Sequence, residues 1–275
     1  MNITGRTKIT GLFGYPVEHT LSPSMHNAAF AHLGMDYCYL PFLVHPDSLG
    51  KAVDAVRALN LAGVNVTIPH KEAVIRFLDN VNEEASFIGA VNTIVNREGV
   101  LTGYNTDGRG FMRSLEENGI EVSGRKVLLV GAGGASRAIG YYLSDKAEML
   151  AIHDIDKDKL SRLVSDLSQI RKNVSTVANL ERPLEEFDIV VNATPLGLKK
   201  GDPSPFDVSR LSSGQTVCDL IYKKTALLDA ASGRGCRTVD GLGMLLWQGV
   251  LAFELWTSAF PPVDVMREAL LKGIR

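Results

Sequence analysis

Residues 125–136 read RKVLLVGAGGAS, an apolar strand that runs directly into a glycine-rich turn. A stretch with helical periodicity follows, from Ala135 to Ser144. A strand, a glycine turn and a helix in this order are typical of a Rossmann dinucleotide-binding unit. Glycines let the backbone approach a pyrophosphate, whose charge is met by the N–H groups at the start of the helix. The segment therefore predicts a dinucleotide site; a glycine turn without a ligand is the alternative.

The turn departs from the usual G-x-G-x-x-G pattern at its last position, where Ser136 stands in place of glycine. A serine is small enough to let the helix pack closely on the strand. The predicted cofactor contacts in this segment are Gly131, Ala132, Gly133, Gly134, Ala135 and Ser136.

The next apolar strand ends in Asp154, about 20 residues beyond the glycines. A carboxylate at this position accepts hydrogen bonds from the ribose hydroxyls of NAD and repels the 2′-phosphate of NADP. No arginine occupies positions 155 or 156, although Lys157 and Lys159 follow closely. The local sequence favours NAD, with NADP as the alternative, and it assigns Asp156 to the N-cap of the next helix.

Outward from this segment, apolar runs of strand length alternate with helical patterns on both sides, which predicts parallel strands joined by crossover helices in an α/β fold. We place a domain boundary at the helical stretch 108–119, so that 1–107 forms one domain and 108–241 the dinucleotide-binding domain. The predicted strands are 8–14, 37–44, 64–68 and 91–96, then 127–130, 150–154, 189–193, 217–220 and 238–239.

The composition is that of a folded globular protein, with 45% hydrophobic and 22% charged residues among 275. A net charge of -2 gives no field that recruits nucleic acid or a membrane surface, so we expect a small-molecule partner. The sequence has neither a membrane-spanning stretch nor a secretory signal, and we expect a cytoplasmic monomer or homodimer. Cys38, Cys218 and Cys236 are widely spaced, which predicts buried thiols, no disulfide framework and no metal site.

Polar residues collect in the N-terminal half, at points where a strand gives way to a helix or loop. In open α/β sheets this edge binds ligands. Hydroxyls at Thr20 and Ser22 are suited to hold a carboxylate, and Asn92 and Thr67 to bind hydroxyl groups.

We also predict that Lys71 and Asp107, from the same group of segments, form a proton-transfer pair. The alternatives are ordinary ones: a helix cap for Ser22 and a solvated charge for Lys71. His26 and His70 are interpreted as helix-face or surface residues, because no spacing of histidine, cysteine and carboxylate residues suggests a metal.

Taken together, seven segments resemble the shikimate dehydrogenase family, in the same order and over nearly the whole chain. The resemblance implies a two-lobed α/β fold with an N-terminal open α/β substrate domain and a Rossmann-type domain. It also implies that the C-terminal helices return to the N-terminal lobe, so that 242–275 completes the substrate domain. The matching segments are 20–23, 65–71, 89–93, 105–108, 131–135, 192–194 and 240–244.

The resemblance implies the reaction of this family, which is the reversible reduction of 3-dehydroshikimate to shikimate. Lys71 falls on the catalytic lysine of the family and Asp107 on the aspartate paired with it. Further cofactor contacts implied are Thr194, Leu220 and Gly241. The substrate-binding positions implied are Thr20, Ser22, Asn65, Thr67, Asn92, Tyr222 and Gln248.

Two departures from the family pattern leave alternatives open. Thr20 replaces a serine beside the substrate carboxylate, which leaves an NAD-dependent quinate/shikimate dehydrogenase as the alternative enzyme. NADP is the family norm, but Asp154 stands where NADP-using members carry an Asn-Arg-Thr/Ser run, and on local electrostatics we predict NAD. A non-catalytic dinucleotide-binding sensor is the remaining alternative, although a sensor need not keep Lys71 and Asp107.

Overall fold

The computed structural model describes residues 3–180, 184–199 and 201–274. The chain forms two compact units: one contains the chain up to Thr106 and again from Gln248, and the other is Asp107–Trp247. Each unit is built on a six-stranded sheet flanked by helices, so the predicted α/β class is confirmed.

The first unit holds a sheet in the order β2-β1-β3-β5-β6-β4. Its strands are β1 (Lys8–Gly14), β2 (Tyr37–Leu43), β3 (Gly63–Val66), β4 (Asn80–Val81), β5 (Thr93–Arg97) and β6 (Val100–Tyr104). The helices that precede the second unit are α1 (Ser22–His32), α2 (Leu49–Ala58) and α3 (Glu83–Ile88). A core of buried aliphatic side chains from β3, α2 and β5 fills the space between sheet and helices.

The prediction of parallel strands throughout is wrong for this sheet, because β5 runs antiparallel to both β3 and β6. A two-residue turn joins β5 to β6, with positive φ at Glu98 (54°) and Gly99 (88°). Two positive φ values suit a tight hairpin turn, whose usual sequence signal is Asn-Gly or Asp-Gly. Glu-Gly lacks that signal, and β6 was therefore not predicted.

The second unit is a doubly wound parallel sheet in the order β12-β11-β10-β7-β8-β9, in agreement with the predicted parallel strands. Its strands are β7 (Lys126–Val130), β8 (Met149–His153), β9 (Val174–Thr176), β10 (Ile189–Asn192), β11 (Thr216–Asp219) and β12 (Arg237–Val239). Its helices are α4 (Asp107–Glu117), α5 (Gly134–Lys146), α6 (Lys157–Ile170) and α7 (Ala226–Gly233). The order reverses between β10 and β8, on either side of β7, which is where such sheets bind ligands.

The last two helices carry the chain back to the first unit. Helix α8 (Leu242–Thr257) enters it at Gln248, and α9 (Val263–Gly273) packs on α1. Near the end of α8, Trp256 is 2% exposed, and its indole Nε1–H donates to the carbonyl of Ile94 on β5 at 3.0 Å. None of the helices among the described residues is long and apolar enough to cross a membrane.

The three cysteines are free and buried, which confirms the prediction of buried thiols. Burial, with a smaller contribution from the neighbouring Asp219 carboxylate, raises the pKa of the Cys218 thiol to about 12. A thiol this hard to deprotonate is a packing group rather than a nucleophile.

Candidate active site

The carboxyl ends of β1 and β3 form the edge of the first unit on which the predicted polar segments begin. The two strands are parallel neighbours, and the chain beyond β3 is tied to β1 because the Thr67 N–H donates to the Phe13 carbonyl at 2.9 Å. Four residues further on, the carbonyl of Lys71 accepts from the Val91 N–H at 2.8 Å. These bonds place Lys71, which is half-buried, directly beside the predicted segment 89–93.

Asn92 is the centre of a buried hydrogen-bond network at this edge, and it is 2% exposed. Its Oδ1 accepts from the Thr106 N–H at 2.9 Å, and its Nδ2 donates to the Thr106 hydroxyl at 2.9 Å. That hydroxyl in turn donates to the carbonyl of Gln248 at 3.0 Å. The network thereby joins two predicted substrate residues, Asn92 and Gln248, from distant parts of the chain.

The network continues to the start of α1. Asn65, 4% exposed, donates from Nδ2 to the Asn92 carbonyl at 3.1 Å and accepts at Oδ1 from the Tyr39 hydroxyl at 2.9 Å. The Ser22 side chain lies close enough to that same hydroxyl to influence its pKa. The Ser22 N–H donates to the Thr20 hydroxyl at 3.3 Å. Asn65, Asn92 and Gln248 are therefore linked through one set of hydrogen bonds, and the start of α1, with Thr20 and Ser22, adjoins this set at Tyr39.

Neither serine of the TLSPS segment caps α1. The N-cap residue is Leu21, which makes no side-chain capping bond, and Ser22 is the first helical residue. The alternative of a simple helix cap for Ser22 is therefore wrong, and the Ser22 side chain lies beside Tyr39 of the buried network instead.

His26 and His70, interpreted above as helix-face or surface residues, are both buried, at 0% and 1% exposure. The His70 Nε2 lies 2.7 Å from the carbonyl of Val44, so His70 ties the segment after β3 to the chain after β2. Around His26 the neighbours are aromatic rings, and neither ring nitrogen has a hydrogen-bond partner. Residue type alone did not reveal either burial, since histidine is intermediate between the mostly buried and the mostly exposed residue types.

In the second unit, β7 leads into the glycine turn, and the geometry of the turn fits a bound pyrophosphate. Gly131 has φ +115°, and a Cβ there would lie 3.0 Å from the Ala193 carbonyl group. Helix α5 begins at Gly134, and its N-cap Gly133 has no side chain to cap the first-turn N–H groups. A Cβ added at Gly133 or Gly134 would meet nothing within 4 Å, so this side of the turn is open. Uncapped N–H groups on an open face are suited to bind an anion.

Asp154 sits immediately after β8, as predicted, but its carboxylate is bonded to the backbone. Its Oδ2 accepts from the Ala132 N–H at 2.6 Å, and its Oδ1 accepts from the Asp156 N–H at 2.7 Å. Asp156 accepts from the N–H groups of Asp158 and Lys159, which confirms it as the N-cap of α6. Asp154 therefore connects the glycine turn to the end of β8.

The remaining predicted cofactor residues lie on loops at the carboxyl ends of β10, β11 and β12. Asn192 Oδ1 accepts from the N–H and the hydroxyl of Thr194, at 3.0 and 2.7 Å. The Gly241 N–H donates to the Ile221 carbonyl at 3.0 Å, and a Cβ on Gly241 would collide with the Leu220 carbonyl. Thr194, Leu220 and Gly241 are thus held on neighbouring loops of one sheet edge.

A buried carboxylate that the sequence did not reveal fixes these loops. Asp219, 1% exposed, accepts from Asn192 Nδ2 at 3.1 Å, from the Ile221 N–H at 3.2 Å and from the Thr225 hydroxyl at 2.7 Å. Burial is the main cause that raises the pKa of Asp219, and the three hydrogen bonds oppose it. The sequence signal that could have identified Asp219 is its position at the end of an apolar strand. Tyr222, predicted to bind substrate, follows on the same loop and is 41% exposed.

Asp107, the predicted partner of Lys71, is the first residue of α4 and is 7% exposed. It follows Thr106 directly in the chain and so begins the second unit, whereas Lys71 belongs to the first. A carboxylate at a helix N-terminus is stabilised by the positive end of the helix dipole.

Three segments of the chain match shikimate dehydrogenase domains in sequence. Residues 12–94 match the shikimate dehydrogenase substrate binding domain, residues 114–197 match shikimate/quinate 5-dehydrogenase, and residues 241–271 match the shikimate 5′-dehydrogenase C-terminal domain.

Individual relatives are similar over nearly their full length. The shikimate dehydrogenase (NADP(+)) of Desulforamulus reducens is 47% identical, with 99% of this chain and 97% of the relative covered. That of Carboxydothermus hydrogenoformans is also 47% identical, with 98% and 99% covered. Among solved structures, a shikimate dehydrogenase in complex with NADP⁺ matches with a TM-score of 0.94 at 37% identity, covering 100% of this chain and 98% of the other.

These relatives overturn the prediction of NAD as the preferred cofactor, because both curated relatives are named for NADP⁺. The prediction took the Asp154 carboxylate as a group that faces the ribose and repels a 2′-phosphate. Its two oxygens accept instead from the backbone at Ala132 and Asp156, so its presence at the strand end does not by itself select NAD. The fold, the glycine turn and relatives at 47% identity agree, and the chain belongs to the shikimate dehydrogenase family of oxidoreductases.

Proposed function

We propose that this protein catalyses the reversible, NADP-dependent oxidation of shikimate to 3-dehydroshikimate, a step toward chorismate and the aromatic amino acids. The observation that carries the proposal is the buried network of the first unit, which gathers Ser22, Asn65, Asn92 and the backbone of Gln248 at one edge. A polyhydroxylated carboxylate needs several oriented polar groups of this kind.

When bound, NADP would supply the hydride acceptor for shikimate oxidation and, in its reduced form, the hydride donor for the reverse reaction. The second unit offers the uncapped N–H groups at the start of α5 for the pyrophosphate. The 2′-phosphate requires positive charge beyond the end of β8. Lys159 is paired with Asp156 at 3.2 Å, and the exposed Lys157 at the first position of α6 is the cation that we assign to the phosphate.

Lys71 carries the proton of the reacting hydroxyl in this proposal. As the alcohol becomes a ketone, its hydroxyl proton leaves to the Lys71 amine, and the same proton returns when the ketone is reduced. Asp107 orients the reacting hydroxyl from the start of α4.

The test is a set of initial rates with two cofactors, NADP⁺ and NAD⁺, and two substrates, shikimate and quinate. We expect the highest kcat/KM for NADP⁺ with shikimate. A higher kcat/KM for quinate than for shikimate would support the quinate/shikimate dehydrogenase alternative. NADP⁺ binding without turnover of either substrate would support a sensor and refute the enzymatic proposal.

A further inference from the structure

Helix α1 holds Tyr39 of the edge strand β2 in three ways. The Ser22 side chain lies beside the phenol hydroxyl, and the ring of His26 stacks on the phenol ring. The Asn27 side chain pairs with the backbone, accepting from the Tyr39 N–H at 2.8 Å and donating to the Tyr39 carbonyl at 3.0 Å. Tyr39 is 0% exposed. Its hydroxyl therefore has a fixed place relative to the start of α1.

That hydroxyl also fixes the amide of Asn65. Burial raises the pKa of Tyr39 far above its ordinary value, so the hydroxyl stays protonated and donates to Asn65 Oδ1. With Oδ1 held there, Asn65 Nδ2 faces the opposite way, toward the Asn92 carbonyl and the Thr93 hydroxyl at 3.1 and 3.0 Å. A single phenol thus orients side chains from two separate elements, α1 and β3.

We propose that Tyr39 is a positioning residue for substrate binding, which acts by fixing the side chains of Ser22 and Asn65. The inference rests on the proposed function, because Ser22 is the residue assigned to the substrate carboxylate. Tyr39 is completely buried and so contacts neither substrate nor cofactor directly. Its loss should weaken substrate binding, while proton transfer at Lys71 and cofactor binding in the second unit should not change.

The test compares the full-length wild-type protein with Tyr39→Phe, which removes the hydroxyl and keeps the ring. We expect the KM for shikimate to rise about tenfold, the effect of losing one hydrogen bond in a preorganised site. The kcat and the Kd for NADP⁺, measured by fluorescence titration, should stay within about twofold of wild type. The matched control is Tyr37→Phe on the same strand, whose ring stacks on Phe30 at 5.0 Å and whose removal of a hydroxyl should leave KM unchanged.

An unchanged KM in Tyr39→Phe would overturn the inference, and so would a fall in kcat without a change in KM. If the wild-type protein turns over shikimate and Tyr39→Phe behaves identically, only this inference fails. If the wild-type protein does not turn over shikimate, the proposed function itself fails.

A double-mutant cycle with Ser22→Ala separates positioning from general loss of stability. Because Tyr39 acts partly through Ser22, the double variant should raise KM by less than the product of the two single effects. Independent, multiplicative effects would contradict the inference. Should Tyr39→Phe fold poorly, Asn27→Ala keeps the Tyr39 hydroxyl but removes the two bonds that hold the Tyr39 backbone, so the hydroxyl is less precisely placed. A smaller rise in KM than for Tyr39→Phe is expected, and an unchanged KM would overturn the proposal.

Discussion

The imidazole ring of His26 lies nearly parallel to the phenol ring of Tyr39, with ring centroids 4.5 Å apart and an interplanar angle of 13°. The rings of Phe253 and Trp256 are also close to His26, with centroid distances of 6.3 and 5.3 Å. This apolar cage disfavours the charged imidazolium, and burial lowers the pKa of His26 from 6.5 to about 3.

Acid should therefore destabilise the protein through His26. Below pH 6.5 the unfolded state binds a proton at this residue, whereas the folded state binds none until about pH 3. Above pH 6.5, His26 is neutral in both states and does not make the free energy of unfolding depend on pH. Below pH 6.5, the free energy of unfolding falls by about 1.4 kcal/mol for each pH unit. Between pH 7 and pH 5 the wild-type protein should lose about 2 kcal/mol of unfolding free energy that His26→Phe does not lose.

Urea unfolding of both proteins at the two pH values measures this difference. His32→Gln is the matched control, since His32 is an exposed residue of the same helix, and it should retain the pH dependence of the wild-type protein. Equal losses in wild type and His26→Phe would show that the His26 ring is protonated in the folded state.

Replacement of Lys71 should impair the chemical step. Lys71→Ala is expected to lower kcat by roughly 10²–10⁴-fold, the usual contribution of general acid–base catalysis, and to change the KM for shikimate much less. Lys51→Ala removes an exposed lysine from α2 of the same unit and serves as the control. Retention of more than half of the wild-type kcat in Lys71→Ala would remove Lys71 from its assigned role.

Whether NADP⁺ binds more weakly or more tightly after replacement of Asp154 tests the role of this residue. Asp154→Ala loses the bond to the Ala132 N–H, which loosens the glycine turn. We expect the Kd for NADP⁺ to rise by about three- to tenfold, since one charge-assisted hydrogen bond is lost. The exposed Glu148, which precedes β8 at the opposite end of the strand, provides the control, Glu148→Ala, which should leave the Kd unchanged. Tighter NADP⁺ binding in Asp154→Ala would show that the carboxylate instead repels the 2′-phosphate.

Removal of the buried Asp219 carboxyl should destabilise the second unit. Asp219→Ala leaves three donors without their acceptor and is expected to cost about 2–3 kcal/mol of unfolding free energy. Because burial raises its folded pKa, this carboxyl stabilises the protein more at acidic than at neutral pH, and the cost should be larger at pH 4 than at pH 8. Asp229→Ala breaks only an exposed pair with Lys224 and should cost less than about 1 kcal/mol. A loss for Asp219→Ala that matches this control would contradict the prediction.

Local sequence signals predicted the local structure well. The predicted helical stretch from Ala135 to Ser144 lies within α5, and Asp156 caps α6 as expected, because both depend on residues a few positions apart. The hairpin at Glu98 and Gly99 was missed because its turn lacks the usual residues.

The sequence did not predict the roles of residues whose hydrogen-bond partners lie far away along the chain. Asp154 is bonded to Ala132, which precedes it by 22 positions, and no propensity reveals that contact. Tyr39 is an ordinary strand residue until the fold brings it between α1 and Asn65, 26 positions further along the chain. The site residues were predicted from the types and spacing of residues in the sequence. The residues that orient their side chains could be identified only from the hydrogen bonds in the structure.

The burial of Trp256 against Ile94 has a consequence for how the chain acquires its structure during synthesis. The two residues are 162 positions apart, and the entire second unit lies between them. On the ribosome, the N-terminal segment emerges long before the indole that completes its core, while Asp107–Trp247 is continuous and has all its own strands as soon as it emerges. The second unit is thus able to fold first. The first unit, with the sheet edge that carries Lys71, completes its folding only after α8 and α9 have left the ribosome.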